Sequence, residues 1–272
     1  RFHLSLNSII LIYFFRKLFL VSPLFLFFAC NSDNLQTYSG FEKQMPATFT
    51  GNKSCKECHE NAFNNWMGSD HERAMDTAIT KTVLGDFDNK EFAYKGFKNR
   101  FYKKGERFFV YTKGPDGKAG DFEIKYTFGV RPLQQYLIPF EDGKMQCLPI
   151  AWDTEKKEWY HLNERVYEGE DIPPNDWLYW TNGGQNWNSM CAECHSTDLQ
   201  IGYDSETQVF HTTWKEINVS CEACHGPASN HVSWSEIAEN KRPEIPHYGF
   251  DRKTVELKTE ELLDQCVFCH TR

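Results

Sequence analysis

The stretch SCEACHGPASNH, residues 220–231, places Cys221 and Cys224 three residues apart, with His225 directly after the second cysteine. On one helical turn, side chains three and four residues apart lie on the same face, so both thiols and the imidazole point the same way. This spacing is the signature of covalent c-type haem, in which two thioether bonds hold the macrocycle and the adjacent imidazole binds the iron. Another histidine, His231, follows six residues after His225.

The same Cys-x-x-Cys-His motif occurs four times in the chain. With 10 cysteines and 10 histidines in 272 residues, chance accounts for only about 0.01 copies. We therefore predict four covalently bound haems c. The predicted attachment residues are Cys55 and Cys58, Cys191 and Cys194, Cys221 and Cys224, and Cys266 and Cys269, and the predicted proximal iron ligands are His59, His195, His225 and His270.

Other chemistries also use paired cysteines. A structural zinc ion takes four ligands, which two Cys-x-x-Cys pairs already provide, so the histidine after each pair would have no role. A disulfide framework gives that histidine no role either, and a thioredoxin-like motif needs one copy in a βαβ setting. Covalent haem is therefore favoured, with zinc and disulfides as the alternatives.

The sixth coordination position of each iron bears on function, because a filled position favours electron transfer and an open one permits substrate chemistry. We predict that His71, in a helix-like run, and His231 are distal ligands. Gly226 and Pro227 break the motif helix before His231, so we expect its imidazole to serve a neighbouring iron rather than that of His225.

Other side chains could also reach an iron. His161, on a predicted strand, is a third candidate for a distal ligand. His211 and His247 are expected to be solvated. Methionines can supply thioether ligands, but core packing is the expected use of Met67, Met75 and Met190. Cys147, outside the motifs in a strand-like apolar setting, is predicted to be a buried, inert thiol.

The chain divides at the motifs. Between Glu91 and His161, alternating apolar and polar stretches separated by turn-like sequences predict five or six strands. The predicted fold class is α+β, with short helices and loops around haems and a β-rich insert between the first and second motifs. We predict a linker (30–50), a first haem segment (51–85), the β-rich insert (86–180) and a C-terminal haem segment (181–272) with three motifs.

The N-terminus has a targeting pattern. The apolar run at residues 18–29 follows Arg16 and Lys17 and is shorter than the about 20 residues that a spanning helix needs. We predict that residues 1–29 are a signal peptide. The sequence FFAC resembles a bacterial lipobox, which predicts lipidation of Cys30 and a lipid-anchored protein in the periplasm or at the cell surface; ordinary cleavage and an uncleaved anchor are the alternatives.

Two further features of the sequence are its net charge and the position of its ends. The net charge is −8, which argues against nucleic acid as a partner because its phosphates would be repelled. The sequence begins at Arg1 and ends two residues after the last motif, an awkward position for a cofactor site. We therefore expect that this chain is a C-terminally truncated member of a group of longer proteins.

Longer stretches carry a resemblance. The sequences CKECHENAFNNWMGSDHERAMD, YTFGVRPLQQYLIPFEDGKMQCLPIAWDT, WNSMCAECHSTDL and INVSCEACHGPASNHVSW, within residues 50–272, are similar to multihaem c-type cytochromes related to the periplasmic tetrahaem electron carriers of nitrifying bacteria. The resemblance implies electron transfer between a protein donor and a protein acceptor. It also implies that His71 and His231 are distal ligands.

Three functions follow from these observations. The leading prediction is periplasmic electron transfer through four haems. The second is a haem enzyme that reduces or oxidises a small nitrogen or sulfur species at one five-coordinate haem. The third is a docking or assembly subunit in which the β-rich insert selects the partner.

Overall fold

The computed structural model describes residues 35–38, 40–253 and 255–271, so the predicted signal peptide and Cys30 lie outside the described residues. The helices are α1 (Asn52–Lys56), α2 (Glu60–Trp66), α3 (Asn163–Val166), α4 (Trp187–Met190), α5 (Ala192–His195), α6 (Cys221–His225), α7 (Ser229–Ser235) and α8 (Thr259–His270). Short 3-10 helices lie at Gly183–Gln185, Glu239–Lys241 and Pro246–Gly249. In the part of the chain described, no helix is long and apolar enough to span a bilayer.

Antiparallel strands make up the rest of the regular structure, which confirms the α+β class. The strands are β1 (Leu35–Tyr38), β2 (Phe41–Gln44), β3 (Met75–Thr77), β4 (Lys90–Tyr94), β5 (Phe97–Lys104), β6 (Arg107–Lys113), β7 (Ala119–Ile124), β8 (Tyr126–Phe128), β9 (Leu133–Pro139), β10 (Met145–Cys147), β11 (Ile150–Asp153), β12 (Glu158–His161), β13 (Tyr203–Asp204) and β14 (Val209–Phe210). The insert holds two sheets: a four-stranded sheet in the order β4-β5-β6-β7, and a six-stranded sheet in the order β12-β11-β9-β8-β3 with β10 paired to β9. Because β3 belongs to the first haem segment, the larger sheet ties that segment to the insert.

The insert has more strands than the five or six predicted, since β4–β12 all lie between residues 90 and 161. The stretch KMQCLPIAW is divided between β10 and β11 because Pro149 has no N–H to donate to a ladder. The alternation of buried apolar and exposed polar residues fails in β9, because the polar Gln134 is buried. Its side chain accepts from the Leu84 N–H at 2.8 Å and donates to the Thr82 carbonyl at 3.0 Å. A buried glutamine in a strand does not have the apolar signal that sequence periodicity detects.

An aromatic core lies in the β-rich insert, with Phe87 at its centre. The Phe87 ring makes edge-to-face contacts, at centroid distances of 5.6, 5.1, 5.3 and 5.5 Å, with Phe101, Phe108, Tyr136 and Trp159. Edge-to-face pairs add to the stabilisation that burial of each ring provides. This core gives the insert its own hydrophobic interior.

Replacing Phe87 with alanine is expected to lower the free energy of unfolding by about 3–5 kcal/mol, because the variant loses a buried ring and leaves a cavity among four others. Urea denaturation of both proteins measures the difference. Tyr203→Ala, at a half-exposed ring, serves as the control and is expected to cost much less. Equal losses in the two variants would contradict this account of the core.

A second core cluster joins the larger sheet to the second motif. It contains Met75, Leu137, Met145, Cys147, Trp187 and Ala192, with Cys191 packed against it. The prediction that Met75 packs in the core is therefore confirmed. The same prediction was wrong for Met67 and Met190, which are 48% and 52% exposed.

The segment predicted as a linker is packed against the C-terminal haem segment. Strands β1 and β2 form a hairpin, and the Gln44 backbone exchanges two hydrogen bonds of 2.8 Å with the Asn230 side chain in α7. Thr48 donates its N–H to the Ser229 hydroxyl at 2.9 Å. These bonds fix the beginning of α7, which carries His231.

Candidate haem-attachment sites

Each motif lies on a helical turn, as its spacing predicts. Helix α6 consists of the third motif alone, and α8 ends with the fourth at His270. In the first motif, the N–H of His59 donates to the Cys55 carbonyl at 2.9 Å. In the second, Cys191 separates α4 from α5 and accepts from the Cys194 N–H at 3.2 Å.

The first and third motifs lie against each other. The thiols of Cys55 and Cys221 hydrogen-bond, and this bond lowers the pKa of Cys221 to about 6 while it raises that of Cys55. Burial lowers the pKa of His225, and the charges of Arg252, His59 and His231 act in the same direction. The two lowered pKa values favour the thiolate of Cys221 and the neutral imidazole of His225, which are the reactive and the metal-binding forms, whereas the raised pKa of Cys55 favours its thiol.

His231 faces the first motif. The centroid of its ring lies 6.1 Å from that of His59, and the two ring planes make an angle of 26°. The Nδ1 atom of His231 lies 2.9 Å from the Tyr248 carbonyl. Such a bond leaves Nε2 as the nitrogen that can bind a metal.

His71 faces the fourth motif. The rings of His71 and His270 lie 6.0 Å apart, at an angle of 56°. Backbone contacts hold the His71 loop: its carbonyl accepts from the Val219 N–H at 3.2 Å, and the neighbouring Glu72 carbonyl accepts from the Asn218 side chain at 2.7 Å. The loop is therefore attached to the chain that leads into α6.

The two ring separations can be compared with those expected around a metal. Two imidazoles that bind one metal from opposite sides, with bonds of about 2 Å, have centroids about 6 Å apart. The pairs His59–His231 and His71–His270 have this separation. The side chains present therefore fit two iron ions that each have two histidine ligands.

The remaining motif histidines have aromatic neighbours. The Phe128 ring lies 4.4 Å from that of His195, and the Phe250 ring lies 6.0 Å from that of His225. Burial lowers the pKa of His195, an effect that the nearby Ala74 carbonyl opposes and His270 reinforces. The Nδ1 atom of His195 is buried and, among the described residues, has no partner at hydrogen-bonding geometry.

His161, the third candidate for a distal ligand, lies in the β-rich insert. Its ring stacks on Tyr94 at 3.7 Å and accepts a hydrogen bond from the Asn163 N–H at 3.2 Å. It lines a cavity of about 380 Å³ together with Lys95 and Tyr179. Within the described chain, His71 and His231 are in ring contact with a motif histidine, and no such contact involves His161. His211 and His247 are exposed, as predicted.

The pH dependence of stability is expected to report on His161. Burial, aided by the charge of Lys95, lowers its pKa from 6.5 to about 4. The unfolded chain therefore binds a proton at His161 more tightly than the folded chain does. The stability from the neutral, buried imidazole is fully present above about pH 6.5, and the free energy of unfolding falls by about 2 kcal/mol between pH 7 and pH 5. Urea unfolding of His161→Gln at the two pH values is expected to show a flatter dependence than the wild type. Identical pH dependence in both proteins would contradict the lowered pKa of His161.

Sequence reasoning missed two residues at these sites. Cys147 is buried, as predicted, and its thiol also hydrogen-bonds that of Cys191, which raises the pKa of Cys147 well above the ordinary value. Glu222, between the two cysteines of the third motif, is 3% exposed. A single acid inside a motif gives no signal in the sequence, because most acids at such positions are solvated.

Disulfide bonds and a zinc ion are the alternatives to haem for the cysteine pairs, and the positions of the cysteines bear on both. No disulfide bond joins any two of the nine described cysteines. Among the described residues, no three His, Cys, Asp or Glu side chains converge in a group that could hold a metal ion.

Comparisons with known proteins agree with the motifs. Two segments of the chain, residues 54–94 and 178–226, match the family described as cytochrome c554 and c-prime. They contain the first three motifs and His71, whereas His231 and the fourth motif lie outside them. No curated protein matches the chain.

Two solved structures are similar to the chain. They are an outer cell wall cytochrome, OcwA, at 21% identity and a TM-score of 0.42 over 68% of this chain, and an undecaheme cytochrome from the S-layer of Carboxydothermus ferrireducens, at 18% identity and a TM-score of 0.42 over 83%. This chain covers 33% and 26% of those two longer chains.

Proposed function

We propose that the protein is a multihaem c-type cytochrome that transfers electrons outside the cytoplasm through four covalently bound haems. The observation that carries the proposal is the pairing of His59 with His231 and of His71 with His270, at 6.1 and 6.0 Å. Iron with two histidine ligands has no open position for a substrate, which favours electron transfer. When bound, haem supplies one-electron redox chemistry.

Contacts between the motifs support transfer from site to site. The first and third motifs meet at Cys55 and Cys221. Burial, and then the charge of Cys266, raise the pKa of Cys224, so the third and fourth motifs lie close enough for their charges to interact. The fourth and second are neighbours at His270 and His195. These contacts support a path in the order first, third, fourth, second, and we propose that electrons follow this order.

The residues of the chain have three tasks in this proposal. The eight motif cysteines would hold the haems, and the four motif histidines would bind the irons. His71 and His231 complete two of the iron sites. Burial keeps the imidazoles of His195, His225 and His231 neutral by lowering their pKa values, so they are available as ligands at neutral pH.

Location and partners belong to the same proposal. Residues 1–29 are proposed to be a signal peptide, and Cys30 is proposed to carry the lipid that anchors the protein in the periplasm or at the cell surface. A protein donor and a protein acceptor supply and remove the electrons. The acidic net charge of −8 suits partners with a basic docking surface.

Low-temperature electron paramagnetic resonance of the oxidised protein tests the proposed function. At least two low-spin haems with two histidine ligands each are expected per chain. A spectrum in which high-spin iron predominates would overturn the proposal, because it would show that most irons lack a second protein ligand.

A second candidate function is a haem enzyme that reduces or oxidises a small nitrogen or sulfur species. The observation that favours it is the ring beside His195, which is that of Phe128 at 4.4 Å. A phenyl ring cannot bind iron, whereas His59 and His270 each have an imidazole as a neighbour. Addition of carbon monoxide to the reduced protein, followed by assays with nitrite and hydroxylamine, tests it. Binding at about one haem per chain with turnover would support the enzyme, and no binding would exclude it.

A further inference from the structure

The Glu222 side chain is enclosed by backbone amides. Its Oε1 atom accepts from the Thr50 N–H at 2.9 Å and from the Ala228 N–H at 2.8 Å, and its Oε2 atom accepts from the Gly51 N–H at 2.7 Å. A carboxylate with several N–H donors makes strong, charge-assisted bonds, which offset the cost of burying it. The structure therefore holds this side chain in one place.

These amides belong to the starts of two helices. Gly51 directly precedes α1, which carries Cys55 and leads to His59. Ala228 directly precedes α7, which carries His231. The carboxylate itself extends from α6, the helix of the third motif. One side chain thus joins the elements that carry both imidazoles of the His59–His231 pair.

We propose that Glu222 is a positioning residue that holds the His59 and His231 side chains at the separation that suits two ligands of one iron, so that six-coordination at the first motif depends on the third. The inference rests on the proposed function. It assigns a role to a residue between two attachment cysteines, where the motif itself specifies no residue type. Loss of the carboxylate removes the one side chain that bonds to both helix starts, while the bonds of Gln44 and Thr48 to α7 and of Glu216 to α1 remain.

Glu216 provides a matched control. Its Oε1 atom accepts from the Asn52 N–H at 2.9 Å, so it also holds the start of α1. Its described hydrogen bonds do not extend to α7. Glu222→Gln and Glu216→Gln each replace a carboxylate by a neutral amide of nearly the same shape, and only the first acts on both helices.

Hydrogen exchange on the haem-loaded protein provides the first measurement. In Glu222→Gln, the side chain keeps one acceptor oxygen and presents an NH2 group in place of the other, so exchange is expected to accelerate by about tenfold or more either at Gly51 or at Thr50 and Ala228. In Glu216→Gln, the remaining oxygen can still accept from Asn52, and none of the three amides is expected to respond. Unchanged exchange at all three amides in Glu222→Gln would overturn the proposal.

Paramagnetic resonance provides the second measurement. Glu222→Gln is expected to convert about one haem per chain from low to high spin, whereas Glu216→Gln keeps the wild-type spectrum. Faster exchange with an unchanged spectrum would overturn the positioning role and leave a structural one. Wild-type protein without covalent haem would overturn the proposed function and the positioning role together, with exchange still reporting the bonds of Glu222.

A second variant keeps the test decisive if Glu222→Gln does not accumulate. Glu222→Asp retains the charge and shortens the side chain by one methylene, so it cannot reach all three amides at their present distances. It is expected to lose protection at Ala228 or at Gly51 and to show partial conversion to high spin. Full protection and a wild-type spectrum in this variant would show that the length of the Glu222 side chain is not required, and would overturn the proposal.

Discussion

Replacing His231 with alanine is expected to change one haem per chain from six-coordinate, low-spin iron to five-coordinate, high-spin iron. The reason is the separation of the His231 and His59 rings, 6.1 Å, which suits two ligands of one iron, so that removal of His231 leaves His59 as the single protein ligand. Electron paramagnetic resonance measures the conversion. His231→Met is expected to retain low-spin iron and to raise the reduction potential of that haem on the order of 100 mV, because a thioether ligand favours the ferrous state.

His247→Ala is the control for this prediction. His247 lies close to His231 in the fold, in the 3-10 helix Pro246–Gly249 that packs on α7, and it is exposed. Its replacement is expected to leave the spin state and the potentials unchanged. A His231→Ala protein with the spectrum of the wild type would show that His231 binds no iron, and the proposed ligand pair would be wrong.

Replacing both Cys221 and Cys224 with serine is expected to remove one covalent haem per chain. It is also expected to disturb the first site, because the Cys221 side chain lies against that of Cys55 and His225 lies near His59. Intact mass spectrometry under denaturing conditions measures the loss directly. The accumulated protein is expected to fall several-fold, since a haem site between two others has lost its cofactor.

Cys147→Ala is the matched control for the cysteine variant. Cys147 is as buried as any described cysteine and touches an attachment residue, but it lies outside the motifs. The control is expected to retain all four haems and to lose only packing energy of about 1–2 kcal/mol. Equal haem content in the serine variant and the wild type would show that the third motif attaches none.

The sequence was sufficient to predict the parts of the site that depend on local geometry. The Cys-x-x-Cys-His spacing requires a helical turn, and each motif has one. The break after His225 was also predictable from Gly226 and Pro227; Gly226 has a φ of 82°, which favours glycine. His231 was accordingly expected to serve a neighbouring iron rather than that of His225.

The sequence could not show which iron each distal candidate faces. His231 reaches the first motif through bonds of α7 to Gln44 and Thr48, which are distant in the chain. His161 was a reasonable candidate by residue type, but the stacking of its ring on Tyr94 depends on the approach of two strands. Such positions are set by tertiary packing, which local periodicity does not encode.

Intact mass together with the visible spectrum of the mature protein tests the central claim most directly. The account predicts a red protein whose mass, after denaturation and removal of any lipid, exceeds that of the polypeptide by four haems. A colourless protein with the mass of its amino acids alone would contradict it.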